Sequence, residues 1–324
     1  MANMKIGVFV PPPLESGDKK SIHSPGIGRI TMPMYDRLRD LLSQRHDGVE
    51  FVQNVSFRNS AIVNGDAVFL DAQEPLQQYF WYSEIDRKPN SYDLTFLKML
   101  DRRIPVRRNP DAYIRALDKH LSFAQLRDSG VPVADSVLVD ASNTALIESV
   151  VRSWGMVLLK PRRGGFGKGV TLLDGFESVR DTLEYIQTTA TATTEGGFHL
   201  ERFYDNDIDR WTSVTVIGGR IVYGYRKNKE RFVSLGKGKF KVYDTDEIGG
   251  SVSICEVTDA HEKAALAAYK ALGLEIVGFD MIWHEGAPIV VDVNTFPGMY
   301  QDLFDQQRID GGQLMYNIIA GRAA

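Results

Sequence analysis

Residues 277–298, VGFDMIWHEGAPIVVDVNTFPG, constrain this chain more than any other stretch. Two apolar runs rich in β-branched residues, Val277–Trp283 and Ile289–Asn294, flank a short loop with Gly286 and Pro288, which is the pattern of a β-hairpin. If Trp283 pairs with Ile289 across a five-residue loop, Asp280 falls opposite Asp292. Side chains two apart share a face, so Asn294 lies there too. Opposed carboxylates destabilise a sheet. Apolar neighbours on that face, Ile282 and Val290, deepen the conflict by desolvation. A divalent cation would resolve it, because two carboxylates and an amide oxygen are hard ligands suited to Mg²⁺ that also keeps waters and phosphate oxygens. The hairpin alone is equally compatible with an exposed face on which both aspartates are solvated.

Upstream, Lys5–Val10 reads as a buried first strand. A long loop, residues 11–33, follows with five prolines and three glycines. Loops of that length are usually functional or disordered. Helices are expected over Tyr35–Arg45 and Tyr92–Arg102, and strands over Val49–Val55, Ala67–Leu70 and Ile104–Val106. The aromatic, charged, turn-rich stretch Tyr79–Asp93 reads either as a half-buried loop over a helix or as the wall of a substrate pocket. Alternating strands and helices predict a parallel α/β layer ending near Arg108, with Asn109-Pro110 as the boundary.

Ala112–Ser129 is expected to be one helix carrying Lys119, stopped by Gly130 with Pro132 beyond. After the strand Ser136–Val139 and the helix Thr144–Ser153, the apolar strand Met156–Lys160 runs into the glycine-rich segment 162–170, and a second strand begins at Thr171. Such a loop can lay backbone N–H groups over phosphates, or it can be a plain flexible hairpin. It lacks both the GxGxxG register and the Walker pattern. Glu201 lies in a strand over Phe198–Phe203. Trp211–Ile217 and Arg220–Tyr225 form a hairpin about Gly218-Gly219, and two basic clusters, 226–231 and 236–241, follow as solvated loops or polyphosphate contacts. Helices over Ala260–Leu272 and Gly311–Ile319 complete the chain.

A length of 324 residues indicates about two domains. The net charge of −4 gives no electrostatic footprint for nucleic acid. A single cysteine, Cys255, rules out an internal disulfide framework and fits a reducing, cytoplasmic compartment. No apolar run approaches a signal peptide or a membrane span, and the histidines lack HExxH spacing, which argues against zinc.

In order and spacing, these motifs resemble the ATP-grasp superfamily over about residues 109–324. They are Lys119 after an Asn-Pro turn, Lys160-Pro161 before a glycine-rich flap, Glu201 before Arg-Phe, and Gly-Phe-Asp280 paired with Val-Asp292-Val-Asn294. The resemblance implies an α/β fold with an N-terminal parallel α/β domain (1–108), a central subdomain carrying the flap (109–195) and a C-terminal subdomain with the metal site (196–324), the two antiparallel sheets enclosing ATP. It implies that Lys119 and Lys160 contact the phosphates and that Gly164, Gly165, Phe166 and Gly167 close over them. Glu201, Arg202 and Phe203 would read adenine, and Lys227 would join the nucleotide contacts. Arg226, with Lys160, would steady the transferring phosphoryl group. Asp280, Asp292 and Asn294 would hold Mg²⁺. The sequence departs from the family at Asp292, where glutamate is usual, and near Trp211, where an acidic ribose ligand is expected and Asp209 or Asp207 would stand in. The implied activity is an ATP-dependent carboxylate–amine ligase acting on small molecules, an amino acid or peptide among them. A kinase on the same fold and a non-catalytic ATP-binding module are the alternatives, and the resemblance leaves a homodimer open.

Overall fold

The computed structural model describes residues 3–14, 26–44, 46, 48–88, 90–165, 167–189, 197–205, 208–228, 232–236, 239–242 and 251–322. Its N-terminal layer is a parallel sheet of β1 (Met4–Phe9), β2 (Val49–Gln53), β5 (Gln78–Trp81) and β6 (Val106–Arg107), in the order β2-β1-β5-β6. Helices α1 (Met32–Ser43) and α2 (Tyr92–Asp101) belong to this layer. Thr31 caps α1 and Ser91 caps α2, each side chain accepting a first-turn N–H. The run expected as a third parallel strand, 67–70, is instead half of a separate hairpin: β3 (Ser60–Val63) pairs with β4 (Asp66–Phe69). Asn64 and Gly65 both have positive φ in its turn, and that Asn-Gly signal was available in the sequence. The parallel position goes to β5, whose Tyr79, Phe80 and Trp81 are fully buried. The aromatic stretch therefore opens as a central strand and leaves it after Trp81.

The helix expected over 112–129 is two helices, α3 (Pro110–Leu117) and α4 (Lys119–Asp128). Asp118 between them is extended (φ −89°, ψ 110°), and its carboxylate accepts from the N–H groups of His120 and Leu121. An aspartate directly before Lys119 is an N-cap signal, and capping outweighs helix continuation here. Next comes an antiparallel sheet of β7 (Ser136–Val139), β8 (Met156–Lys160), β9 (Thr171–Asp174) and β10 (Phe198–Arg202), in the order β7-β10-β8-β9. With α5 (Thr144–Trp154) and α6 (Phe176–Thr189) it encloses its own core of Ile147, Val157, Leu159, Leu183 and Leu200. Because β10 belongs to this sheet, the unit runs to Arg202, past the boundary expected at 195.

The last sheet is antiparallel and contains β11 (Thr212–Ile217), β12 (Arg220–Lys227), β15 (Val252–Cys255), β16 (Ile276–His284) and β17 (Ala287–Asn294), in the order β15-β12-β11-β16-β17. A two-stranded ribbon, β13 (Phe232–Gly236) with β14 (Lys239–Val242), lies between β12 and β15 in the chain. Helix α7 (Asp259–Leu272) ends at Gly273 in the left-handed conformation, and α8 (Gln301–Gln306) and α9 (Gly311–Ala320) close the chain. Among the described residues, no helix is long and apolar enough to cross a membrane.

Candidate active site

The β16–β17 hairpin places Asp280 opposite Asp292, by a different route from the one the sequence indicated. Trp283 pairs with Pro288, not Ile289, so the turn is the two residues Glu285-Gly286, both at positive φ. The register would then miss Asp292 by one. A bulge between Asp280 and Met281 restores it, leaving Val291 without a partner in the ladder. The Val291 carbonyl turns instead to Lys160, whose Nζ donates to it at 3.1 Å.

The two carboxylates do not confront each other bare. Asp280 accepts from Lys227 Nζ at 3.0 Å and from Ser213 Oγ at 2.6 Å. Asp292 forms a short ion pair with Lys119. Burial alone would raise the Asp292 carboxyl, but Lys119 above all, then Lys160 and Lys227, bring it below the ordinary carboxylate value. Lys160 also donates to Glu201 Oε1 at 2.7 Å, with both side chains almost fully buried. Three lysines and three carboxylates thus interlock across both antiparallel sheets.

Local structure explains how each lysine is aimed. Lys119 opens α4 directly after its cap, and its backbone N–H donates to the Arg162 carbonyl at 2.8 Å, tying the helix start to the base of the flap. Arg162 returns to Asp118 at 2.6 Å. Lys160 ends β8 opposite His199 of β10. His199 is wholly buried against His120 and Phe123, and burial lowers its pKa, so it is neutral at pH 7. Strand alternation separates Arg226 from Lys227: Lys227 is buried against Asp280, whereas Arg226 is exposed on the other face beside the Cys255 thiol.

The remaining expected residues are placed as follows. Gly164 and Gly165 line a cleft of about 300 Å³ with Asn294. Gly167 and Gly169 have positive φ, and a Cβ on Gly169 would lie 2.7 Å from Pro161 Cγ. Phe166 and Asp207 lie outside the described residues, as do the side chains of the second basic cluster. Arg202 is drawn to the surface by Asp135 at 3.4 Å and stacks over Tyr204. The Phe203 N–H donates to the Met156 carbonyl, and Asp209 is exposed on a 3-10 turn after β10. The lysine–carboxylate set is therefore brought together, and Arg226, Arg202 and Asp209 are not part of it. Sequence reasoning missed Asp118, Arg162 and Ser213. Only Asp118 carried a local signal; the other two become legible through pairing.

These residues fit Mg²⁺ and a nucleotide. Among the described residues no three His, Cys, Asp or Glu side chains cluster for a metal. The available set is two carboxylates and the Asn294 amide, which suits a cation that completes its shell with water and phosphate. Glu201 Oε2 is buried with no hydrogen-bond partner among the described residues, and His199 Nε2 lies 3.7 Å from it.

A parallel layer followed by two antiparallel sheets is the ATP-grasp architecture, and solved structures agree. The D-alanine–D-alanine ligase from Bacillus anthracis complexed with ATP superposes with a TM-score of 0.62 at 17% identity, covering 99% of this chain and 97% of that one. The family model of the RimK-like ATP-grasp domain matches residues 116–315, and the chain belongs to that family. A probable alpha-L-glutamate ligase from Histophilus somni is 26% identical over 58% of this chain and 58% of its own length. A tetrahydromethanopterin:alpha-L-glutamate ligase from Methanocaldococcus jannaschii is 28% identical over 62% of this chain and 65% of its own length. The chain thus spans about three-fifths of the length of these curated relatives.

Proposed function

We propose that this protein is an ATP-dependent ligase that joins a carboxylate to an amine. When bound, Mg-ATP would supply the phosphoryl group that turns the carboxylate into an acyl phosphate, with ADP as the leaving group; the amine nitrogen would then attack the acyl carbon, expelling phosphate and giving up a proton. The observation that carries the reading is the buried interlock of Lys119, Lys160 and Lys227 with Asp292, Glu201 and Asp280. Each lysine is buried against a carboxylate, and Lys160 also donates to the Val291 carbonyl. Phosphate oxygens can take over the lysines while a cation takes over Asp280, Asp292 and Asn294, so neither the lysines nor the aspartates are left without a partner. Lys227, buried against Asp280, takes in this reading the phosphoryl-steadying role that the resemblance implied for Arg226. Glu201 is the adenine acceptor in this reading, Gly164–Gly169 the closing flap, and Asp209 the ribose contact. Flap closure would exclude water from the acyl phosphate.

The relatives are named for glutamate ligation, so the proposed amine is an amino acid or peptide, glutamate among the candidates. A cytoplasmic site of action fits the lone Cys255. The test is a phosphate-release screen over acids and amino acids, with hydroxylamine added to trap the acyl phosphate as a hydroxamate and mass detection of amide products. Hydroxamate and amide are the expected products. A stable phosphate ester would show a kinase instead, and nucleotide binding without turnover on any acid would show a binding module. Lys160→Ala is expected to weaken ATP binding by about 2 kcal/mol, as for a lost charge-assisted contact; unaltered affinity by calorimetry would remove Lys160 from the nucleotide site.

A further inference from the structure

The buried face of β10 carries a polar side chain that the proposed chemistry does not use. Strand alternation puts His199 on the same face as Glu201, and cross-strand pairing puts it opposite Lys160. His199 is 0% exposed, and neither of its ring nitrogens has a hydrogen-bond partner among the described residues. Edge-to-face contacts with His120, 5.8 Å between ring centres, and with Phe123, 5.7 Å, set the plane of the ring. Its Nε2 lies 3.7 Å from Glu201 Oε2, and that oxygen is itself buried without a hydrogen bond among the described residues. A donor and an acceptor thus face each other about half an ångström beyond hydrogen-bond range. Leucine or phenylalanine would fill the same space without burying two polar nitrogens, which carries a cost when they are unpaired.

The other oxygen of Glu201 explains why this bond stands open. Oε1 accepts from Lys160 Nζ at 2.7 Å, and the same Nζ donates to the Val291 carbonyl at 3.1 Å, so the lysine fixes where the carboxylate sits. In the ligase reading Lys160 passes to phosphate, which strips Glu201 of the ammonium that holds it now. A buried carboxylate robbed of its cation is costly unless other donors replace it. We propose that His199 is a positioning residue for the nucleotide: as Lys160 leaves Oε1, the His199 Nε2–H closes on Glu201 Oε2 and holds the carboxylate so that Oε1 accepts from the adenine amine. Neutral His199 carries one ring N–H, and the tautomer with that proton on Nε2 supplies the donor without any transfer of charge. This rests on Glu201 as the adenine acceptor and adds the residue that orients it.

The test is calorimetry on the full chain with Mg²⁺, titrating the β,γ-imido analogue of ATP and the same analogue with hydrogen in place of the adenine 6-amino group. Wild-type protein is expected to prefer the amino form about tenfold, as for one hydrogen bond to a charged group. His199→Leu should lose most of that preference, binding the amino form about tenfold more weakly and the desamino form within about twofold of wild type. His199→Gln keeps an N–H donor at similar reach and should bring the preference back to within about threefold of wild type. Should His199→Leu fail to fold, His199→Phe carries the same expectation, because a ring can keep the contact with Phe123. Equal weakening of both nucleotides by the apolar variant would mark His199 as merely structural and overturn the proposal. An undiminished preference, or a Gln variant no better than the apolar one, would overturn it too. In each of those cases wild-type protein still prefers the amino form, and the adenine role of Glu201 stands. Wild-type protein that binds both nucleotides alike, or neither, would sink that role and this proposal together.

Discussion

Two regions of this protein bury cations, and they do so in opposite ways. At the candidate active site, Lys119, Lys160 and Lys227 are each matched to a carboxylate. Arg108, where the N-terminal layer ends, is 1% exposed and has no carboxylate hydrogen-bond partner among the described residues; its guanidinium lies 4.1–4.8 Å from the ring centres of Phe296, Tyr82, Trp81 and Tyr113 and donates to the Thr295 carbonyl at 2.7 Å. Aromatic faces hold a cation through their quadrupoles and have no charge to hand over. Carboxylates can trade a lysine for a metal ion. The first arrangement suits a charge that must be re-partnered during a reaction. The second suits one that must stay, here pinning the Thr295-Phe296 segment just past Asn294 against the N-terminal layer.

The sharpest way to break this contrast is to strand one member of the most buried pair. Glu201→Gln should cost about 3–5 kcal/mol in urea unfolding, because Lys160 is left buried and under-compensated, and the double change Lys160→Met with Glu201→Leu should recover most of it. A loss under 1 kcal/mol would mean that water reaches the pair. Asp292→Asn belongs to the same class: opposed bare aspartates would have made this change neutral or stabilising without metal, but the Lys119 ion pair predicts a loss of stability. Turnover of ATP should fall with it.

Arg108→Met comes next, with a cost of about 2 kcal/mol from the lost cation–π contacts. Nucleotide affinity should be unchanged in that variant, since this cation is not one that phosphate recruits. Tighter or weaker ATP binding by calorimetry would merge the two regions into one network.

A third, smaller effect is titration. The Asp292 carboxyl is depressed in the folded protein, so its stabilisation is full above the ordinary value of 3.8 and is lost as pH falls through the lower, folded value. Burial lowers the His199 pKa from 6.5, so below that pH the unfolded chain takes up protons that the folded one resists. Melting temperature should therefore decline from pH 7 to pH 5 before the carboxylates contribute. A flat profile over that range would mean that His199 is hydrated. Smallest is Gly169→Ala in the flap, about 1 kcal/mol, since φ is +76° and the new methyl meets Pro161. Hydrogen exchange at 167–170 should slow on adding Mg-ATP, and an unchanged rate would detach the flap from the nucleotide.

Lys160 and the two aspartates were legible through local signals: Lys-Pro after an apolar run, and aspartates at fixed spacing within two β-branched runs. What was misread depended on partners far away in sequence. Residues 79–81 looked like a loop since aromatic residues next to turn residues are ambiguous until a parallel neighbour is known. The helix break at Asp118 was missed because helix propensity on both sides continues smoothly. Arg226 and Lys227 are adjacent, and only their pairing to β11 and β15 decides which faces the aspartates.

The hairpin shows where the division falls. Two β-branched runs around a Glu-Gly turn determined, by local sterics alone, that β16 and β17 would pair, and the spacing of Asp280, Asp292 and Asn294 determined which residues could share a face. The bulge at Val291 belongs to the tertiary structure. A one-residue slip flips a whole face, and the energy that selects the bulged register comes from contacts no local window contains: Lys160 reaching from β8 to the freed Val291 carbonyl, and Lys119 reaching from α4 to Asp292.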